Sequence, residues 1–106
     1  MFTPAEMWEG NDERDFYRMS PERQKTLLNW IHAHLYPINS INYNHDSALI
    51  RGLIDLGSPF ESYFSNGEFK GAMLEAGFKV ANRKAWNWHF NVSEDSDVVW
   101  PGKCNR

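Results

Sequence analysis

The chain has 106 residues, of which 42% are hydrophobic and 15% aromatic, enough for one domain with a single modest core and too few for two. Its net charge of −3 is mild, so composition alone does not indicate a polyanion-binding protein, and no apolar run approaches the length of a membrane span. The single cysteine, Cys104, rules out an internal disulfide and suits a reducing compartment. We therefore predict a cytoplasmic protein, in the host cytoplasm if a phage encodes it.

Charge divides the chain into three predicted parts. Residues 1–19 form an acidic N-terminal arm, residues 20–93 form the folded domain, and residues 94–106 form an acidic, flexible tail. Within the arm, Thr3 and Glu6 match a helix capping box.

The first helix of the domain is predicted to begin at Ser20, whose hydroxyl can cap the first turn beside Pro21. It ends before Pro37, because the residue preceding a proline avoids helical angles. Its apolar positions recur at helical spacing, at Leu27, Leu28, Ile31 and Leu35.

A second helix is predicted after Asn44 or Asp46, either of which can serve as its cap. Gly57 and then Pro59 end this helix. Its apolar stripe consists of Leu49, Ile50, Leu53 and Ile54.

A third helix is marked by a capping box at Ser65 and Glu68, and Phe64 and Phe69 stand at the two positions of a hydrophobic staple. Gly77 is the expected left-handed stop. Gly67 and Gly71 lie inside this helix, where glycine is normally unfavourable. Close packing against the first helix, or against a partner, is the expected reason for Gly71. For Gly67, packing is favoured over an anion bound at the helix start.

A β-hairpin is predicted for residues 78–92. Trp86, Trp88, Phe90 and Val92 alternate with polar residues, as on a half-buried strand, and residues 81–84 form the tip. The alternating aromatics are interpreted as the roof of the core, with stacking on exposed bases as the alternative. The predicted fold is therefore α+β, a three-helix winged helix-turn-helix-like domain with a C-terminal β-hairpin.

Two stretches, YFSNGEFKGAMLEAGF at residues 63–78 and NWHFN at residues 87–91, resemble a group of short proteins of Gram-positive bacteria and their phages and prophages. In that group, S/T-N-G-E-F-K-G-A-M-L-x-A-G-F precedes an N-W-x-F-N strand. The likeness spans roughly residues 20–93. It implies an accessory protein of a mobile element, either a small regulator or an inhibitor of a host defence system such as CRISPR–Cas, and it transfers no catalytic residue.

The first functional hypothesis is a DNA-binding regulator that contacts double-stranded DNA through the third helix and the wing. Side chains that can read bases or hold phosphates come from both elements. The candidates are Asn66, Lys70, Lys79, Arg83 and Lys84.

The alternative is an inhibitor that docks on a host nucleic-acid-processing protein complex, with acidic side chains entering a basic channel. Trp8, Trp86 and Trp100 are candidate anchors. The candidate contact charges are Asp12, Glu13, Asp15, Glu94, Asp95 and Asp97.

Catalysis is not expected, because four histidines, one cysteine and scattered acids offer no nucleophile, base and orienting group at supporting spacing. His32 and His34 point to different helix faces, so no metal site and no cofactor are predicted. A homodimer is possible, as winged-helix regulators commonly pair.

Overall fold

The computed structural model describes residues 10–57, 64–98 and 100. A 3₁₀ helix at Glu13–Arg18 is followed by three α-helices: α1 at Pro21–His34, α2 at Ser47–Gly57 and α3 at Asn66–Glu75. The predicted capping box at Thr3, the proposed anchor Trp8 and the predicted stop at Pro59 lie outside the described residues.

The helix ends are where the sequence predicts them. The Ser20 hydroxyl accepts a hydrogen bond from the first turn of α1, and the Asp46 carboxylate does the same for α2. Ser65 and Glu68 form a complete capping box at the start of α3. Gly77 has a φ of +94°, the left-handed conformation expected just after a helix.

The predicted C-terminal β-hairpin, and with it the winged α+β fold, is wrong. In the described part of the chain there is no strand, and the regular structure is helical. Residues 88–92 are extended, but they take part only in isolated antiparallel bridges, namely Val80 with Phe90, Asp46 with His89, and Pro37 with Val92.

Side chains replace part of the backbone ladder, which explains why no regular strand forms. Asn91 accepts a hydrogen bond from the Lys79 amide at 2.6 Å through its side-chain oxygen and donates to the Ile38 carbonyl at 2.8 Å. The Ser47 hydroxyl accepts from the Trp88 amide at 3.0 Å. The extended segment is thus held on both sides by short, irregular pieces of chain.

The core lies where the three helices meet this extended segment. Trp88, Phe90 and Val92 are buried in it, as their alternation predicts, whereas Trp86 is 50% exposed. The other buried apolar residues include Phe16, Leu27, Ile31, Ile50, Ile54, Phe64, Phe69 and Met73.

The 3₁₀ helix of the N-terminal arm lies directly across α3, and the two glycines of α3 make this contact possible. A Cβ on Gly67 would overlap the backbone of Asp12, and a Cβ on Gly71 would overlap the Glu13 carbonyl and the Phe16 side chain. The neighbour that these glycines accommodate is therefore the arm, not the first helix or a partner as the sequence suggested for Gly71, and Phe16 of the arm lies in the core.

Both end segments are packed where the structure describes them. Residues 10–19 contact α3, and Trp100 is only 3% exposed. Across the described ranges, no helix is long and apolar enough to span a bilayer.

Candidate nucleic-acid interface

The sequence predicts Lys70 on the exposed face of the third helix, but the structure buries it. Its side chain is 1% exposed, and its Nζ donates to the Trp86 carbonyl at 2.6 Å and lies 4.8 Å from the centre of the Trp88 ring. Burial lowers the pKa of Lys70 from 10.5 to about 8, against the opposing effect of nearby Glu13 and Asp12. Lys70 is therefore not presented to a ligand at the surface.

Asn66 also turns towards the protein. Its Nδ2 donates to Asn11 Oδ1 at 2.7 Å and to Asn87 Oδ1 at 3.0 Å. One amide thus joins the N-terminal arm, α3 and the segment before Trp88. The predicted reading face of the third helix is a packing face, because the arm covers it.

The other three predicted contacts, all cationic, are exposed and lie within six residues of one another along the chain. Lys79, Arg83 and Lys84 are all exposed. They belong to residues 79–86, which we call the basic turn. No Asp or Glu occurs between residues 76 and 93, so the local charge of this stretch is positive although the whole chain is acidic.

The backbone of the basic turn is fixed by hydrogen bonds. Asn82 Oδ1 accepts from the Lys84 amide at 3.0 Å, and the Trp88 indole donates to the Arg83 carbonyl at 3.2 Å. The Trp86 carbonyl accepts from Lys70, and also from Asn11 Nδ2 at 3.0 Å. The exposed side chains therefore project from a defined backbone.

Arg83 already binds one anion. Its Nη2 and Nε lie 2.7 and 3.0 Å from Glu13 Oε2, so the arm presents a carboxylate to the basic turn. The Arg83 side chain is still 63% exposed. Such a pair is weakened by solvent screening and can exchange one anion for another.

The acidic side chains of the arm, proposed as contacts with a protein partner, are engaged within the chain. Asp12 pairs with Arg14 at 2.7 Å, and Asp15 pairs with Arg18 at 2.7 Å. The hydrogen bonds from Arg14 lower the pKa of Asp12 to about 2. With Glu13 on Arg83, each of the three acids faces a guanidinium.

In the tail, Glu94 is also used internally. Its Oε1 accepts from the side-chain amides of Asn42 and Asn44 at 2.9 and 3.0 Å and lies 2.8 Å from His45 Nε2. Asp95 and Asp97 are exposed, and the Asp97 carboxylate lies 3.7 Å from His34 Nδ1. Of the six predicted acidic contacts, these two point furthest into solvent.

Several residues that organise this region were not singled out from the sequence. Asn11, Ser47 and Asn87 carry its long-range hydrogen bonds. The signal that points to them is the pair Gly67 and Gly71: glycines four apart share one helix face and mark a close crossing by another segment. Nothing local identifies which segment crosses.

Across residues 10–57, 64–98 and 100, no group of three His, Cys, Asp or Glu side chains could hold a metal ion. Comparison with family models, with curated proteins and with solved structures gave no match. What the chain binds must therefore be inferred from its own side chains.

Proposed function

We propose that the protein binds nucleic acid without catalysis, and that the basic turn holds the sugar-phosphate backbone. One observation carries this proposal: Lys79, Arg83 and Lys84 are exposed together on a stretch of eighteen residues, 76–93, that contains no carboxylate. Cations grouped in this way, on a backbone held by hydrogen bonds, suit the regular negative charge of a nucleic-acid strand.

The Arg83–Glu13 pair supports the same proposal. A guanidinium that accommodates a carboxylate with two N–H groups can also accommodate a phosphate oxygen. A bound strand would displace Glu13 from Arg83. The arm would therefore lower the affinity of the basic turn for nucleic acid without covering it.

The alternative, docking on a basic channel of a host protein complex, has less support in the structure. Asp12, Glu13 and Asp15 are paired with arginines of the same chain, and Glu94 is bonded within the protein. A basic partner would have to compete with four such contacts, whereas a nucleic acid on Arg83 displaces Glu13 alone. The resemblance to phage and prophage proteins supports a role as a mobile-element accessory protein under either alternative.

Charge reversal on the basic turn tests the proposal. We expect Lys84→Glu to weaken binding to a labelled oligonucleotide at low salt, and the double variant Arg83→Glu with Lys84→Glu to abolish it. Fluorescence anisotropy across a salt series measures both effects. The slope of log affinity against log salt should become shallower by about 0.7 to 0.9 for each phosphate contact removed.

Lys25→Glu is the matched control, because Lys25 is an exposed lysine on α1 and the substitution changes the net charge equally. Equal losses for Lys25→Glu and Lys84→Glu would show a nonspecific charge effect and contradict the proposal. So would retention of a host protein by the tagged chain with no retention of nucleic acid.

A further inference from the structure

Trp86 is a large aromatic side chain left half in water at the end of the basic turn. It is 50% exposed, whereas Trp88, two residues later, is 1% exposed. A single exposed apolar residue is ordinary on a protein surface. What distinguishes Trp86 is the combination of a fixed backbone with neighbouring cations.

The backbone at Trp86 is held from two other segments. Lys70 of α3 and Asn11 of the arm both donate to its carbonyl, at 2.6 and 3.0 Å. The next residue, Asn87, accepts a hydrogen bond from Asn66 at 3.0 Å. Because this backbone is already held, only the side-chain torsions of the ring remain to be ordered when a ligand covers it.

Arg83 and Lys84 lie close to Trp86 along the chain, near enough for one strand to contact all three residues. Arg83 and Lys84 precede Trp86 by three and two residues, so even a fully extended backbone would separate them by no more than about 11 Å. Both cations therefore lie close enough along the chain to approach phosphates next to a base lying on the indole.

We propose that Trp86 stacks on an unpaired base, so that the preferred ligand of the basic turn is single-stranded nucleic acid. This inference rests on the proposed function and specifies its substrate class. In a duplex, base faces are already stacked on one another, and an indole reaches one only by unstacking the helix. In a single strand every base offers a free face, and aromatic stacking tolerates any sequence.

The test compares ligands and variants of the full chain by fluorescence anisotropy. The probes are a labelled oligothymidylate, an oligouridylate of equal length and a DNA duplex of equal length. We expect both single strands to bind more tightly than the duplex. Trp86→Ala should weaken single-strand binding about tenfold or more and leave duplex binding unchanged, and Trp86→Phe should restore most of the loss.

Tyr36→Ala is the matched control, because Tyr36 is 43% exposed on the segment that bonds to residues 92–96. We expect it to leave all affinities unchanged. A difference between the thymidylate and uridylate strands would reflect the 2′-hydroxyl or the C5 methyl group, and stacking would stand in either case.

Three results would overturn the inference: tighter binding of the duplex, wild-type affinity of Trp86→Ala for single strands, or equal losses for Trp86→Ala and Tyr36→Ala. If Lys84→Glu still weakens binding in any of these cases, the basic turn stands as a phosphate site and only the stacking role fails. Absence of binding to every probe overturns the proposed function as well.

A second measurement covers the case in which Trp86→Ala does not fold. The wild-type chain is photocrosslinked to a strand containing bromouridine, and the crosslinked peptide is identified by mass spectrometry. A crosslink at Trp86 supports stacking, and crosslinks confined to other peptides contradict it.

Discussion

Lys70 holds an ammonium group inside the protein, between the Trp86 carbonyl oxygen and the face of the Trp88 ring. The hydrogen bond and the cation–π contact compensate part of the cost of removing this charge from water. The remaining cost is expressed in the lowered pKa of about 8. One side chain thus positions Trp86 while reducing stability at neutral pH.

This cost predicts a specific pH dependence. The pKa of Lys70 is about 8 in the folded protein against 10.5 when solvated, so between these values the unfolded chain binds more protons. The contribution of Lys70 to the free energy of unfolding therefore rises with pH across that window, by up to about 3 kcal/mol. Chemical denaturation of the wild type and of Lys70→Met at neutral and alkaline pH measures it.

The comparison between the two proteins is essential, because every other pH-dependent contribution to the free energy of unfolding affects both. The free energy of unfolding of the wild type minus that of Lys70→Met should increase with pH. A difference that stays constant or decreases would show that Lys70 is not held as a buried cation.

At the scale of elements, the contact between the 3₁₀ helix and α3 depends on two missing side chains. Gly71 lies mid-helix, where alanine would normally stabilise by about 1 kcal/mol. Here a Cβ would meet the Glu13 carbonyl and lie 2.5 Å from the Phe16 Cβ. The steric term outweighs the helix propensity, since a backbone carbonyl cannot move aside as a flexible side chain can.

We therefore expect Gly71→Ala to lower the free energy of unfolding by about 1 to 3 kcal/mol, the usual range for overpacking. Gly52→Ala is the matched control: Gly52 lies within α2, and a Cβ added there would have no heavy atom within 4 Å beyond its own helix backbone and chain neighbours. That substitution should stabilise by up to about 1 kcal/mol. Urea denaturation of both variants tests the contrast, and the same sign for both would refute it.

The ends of the elements could be predicted because they are decided locally. A hydroxyl or carboxylate at Ser20, Asp46 or Ser65 bonds to amides within three residues, so the sequence window contains both partners. The outward or inward direction of Lys70 could not be predicted in this way. It depends on a segment more than fifty residues earlier that lies over its helix.

At the scale of the whole molecule, the extended segment 88–92 is the centre of the fold. It receives hydrogen bonds from residues 38–47 on one side and is bonded to residues 79–81 on the other. The alternation of Trp88, Phe90 and Val92 predicted their burial, because burial follows side-chain period. The same alternation does not identify the segments that form hydrogen bonds with this backbone. The sequence therefore suggested a two-stranded hairpin, whereas the extended segment bonds to residues 38–47 and to residues 79–81.

Trp100 joins the tail to this centre. Its ring stacks on His45 with centroids 3.9 Å apart, and its indole donates to the Glu94 carbonyl at 2.9 Å. We expect Trp100→Ala to reduce the free energy of unfolding by about 3 kcal/mol, as for other large buried aromatic residues. Thermal and urea denaturation provide the measurement.

Tyr36→Ala again serves for comparison, with an expected change well below that of Trp100→Ala because Tyr36 is 43% exposed and Trp100 only 3%. Equal, small effects of both substitutions would show that the tail contributes nothing to the fold. Deleting residues 94–106 is consequently a poor test of acidic contacts, since it removes Trp100 as well. Asp95→Asn with Asp97→Asn isolates the exposed charges.

The packing of the arm against α3 also affects the order in which the chain can fold during synthesis. Asn11 and its partner Asn66 are 55 residues apart, and the ribosome adds roughly 5 to 20 residues per second. About 3 to 11 seconds therefore pass between the synthesis of Phe16 and that of the part of α3 against which it packs. For that interval the nascent chain exposes to solvent an apolar side chain that is buried in the native protein.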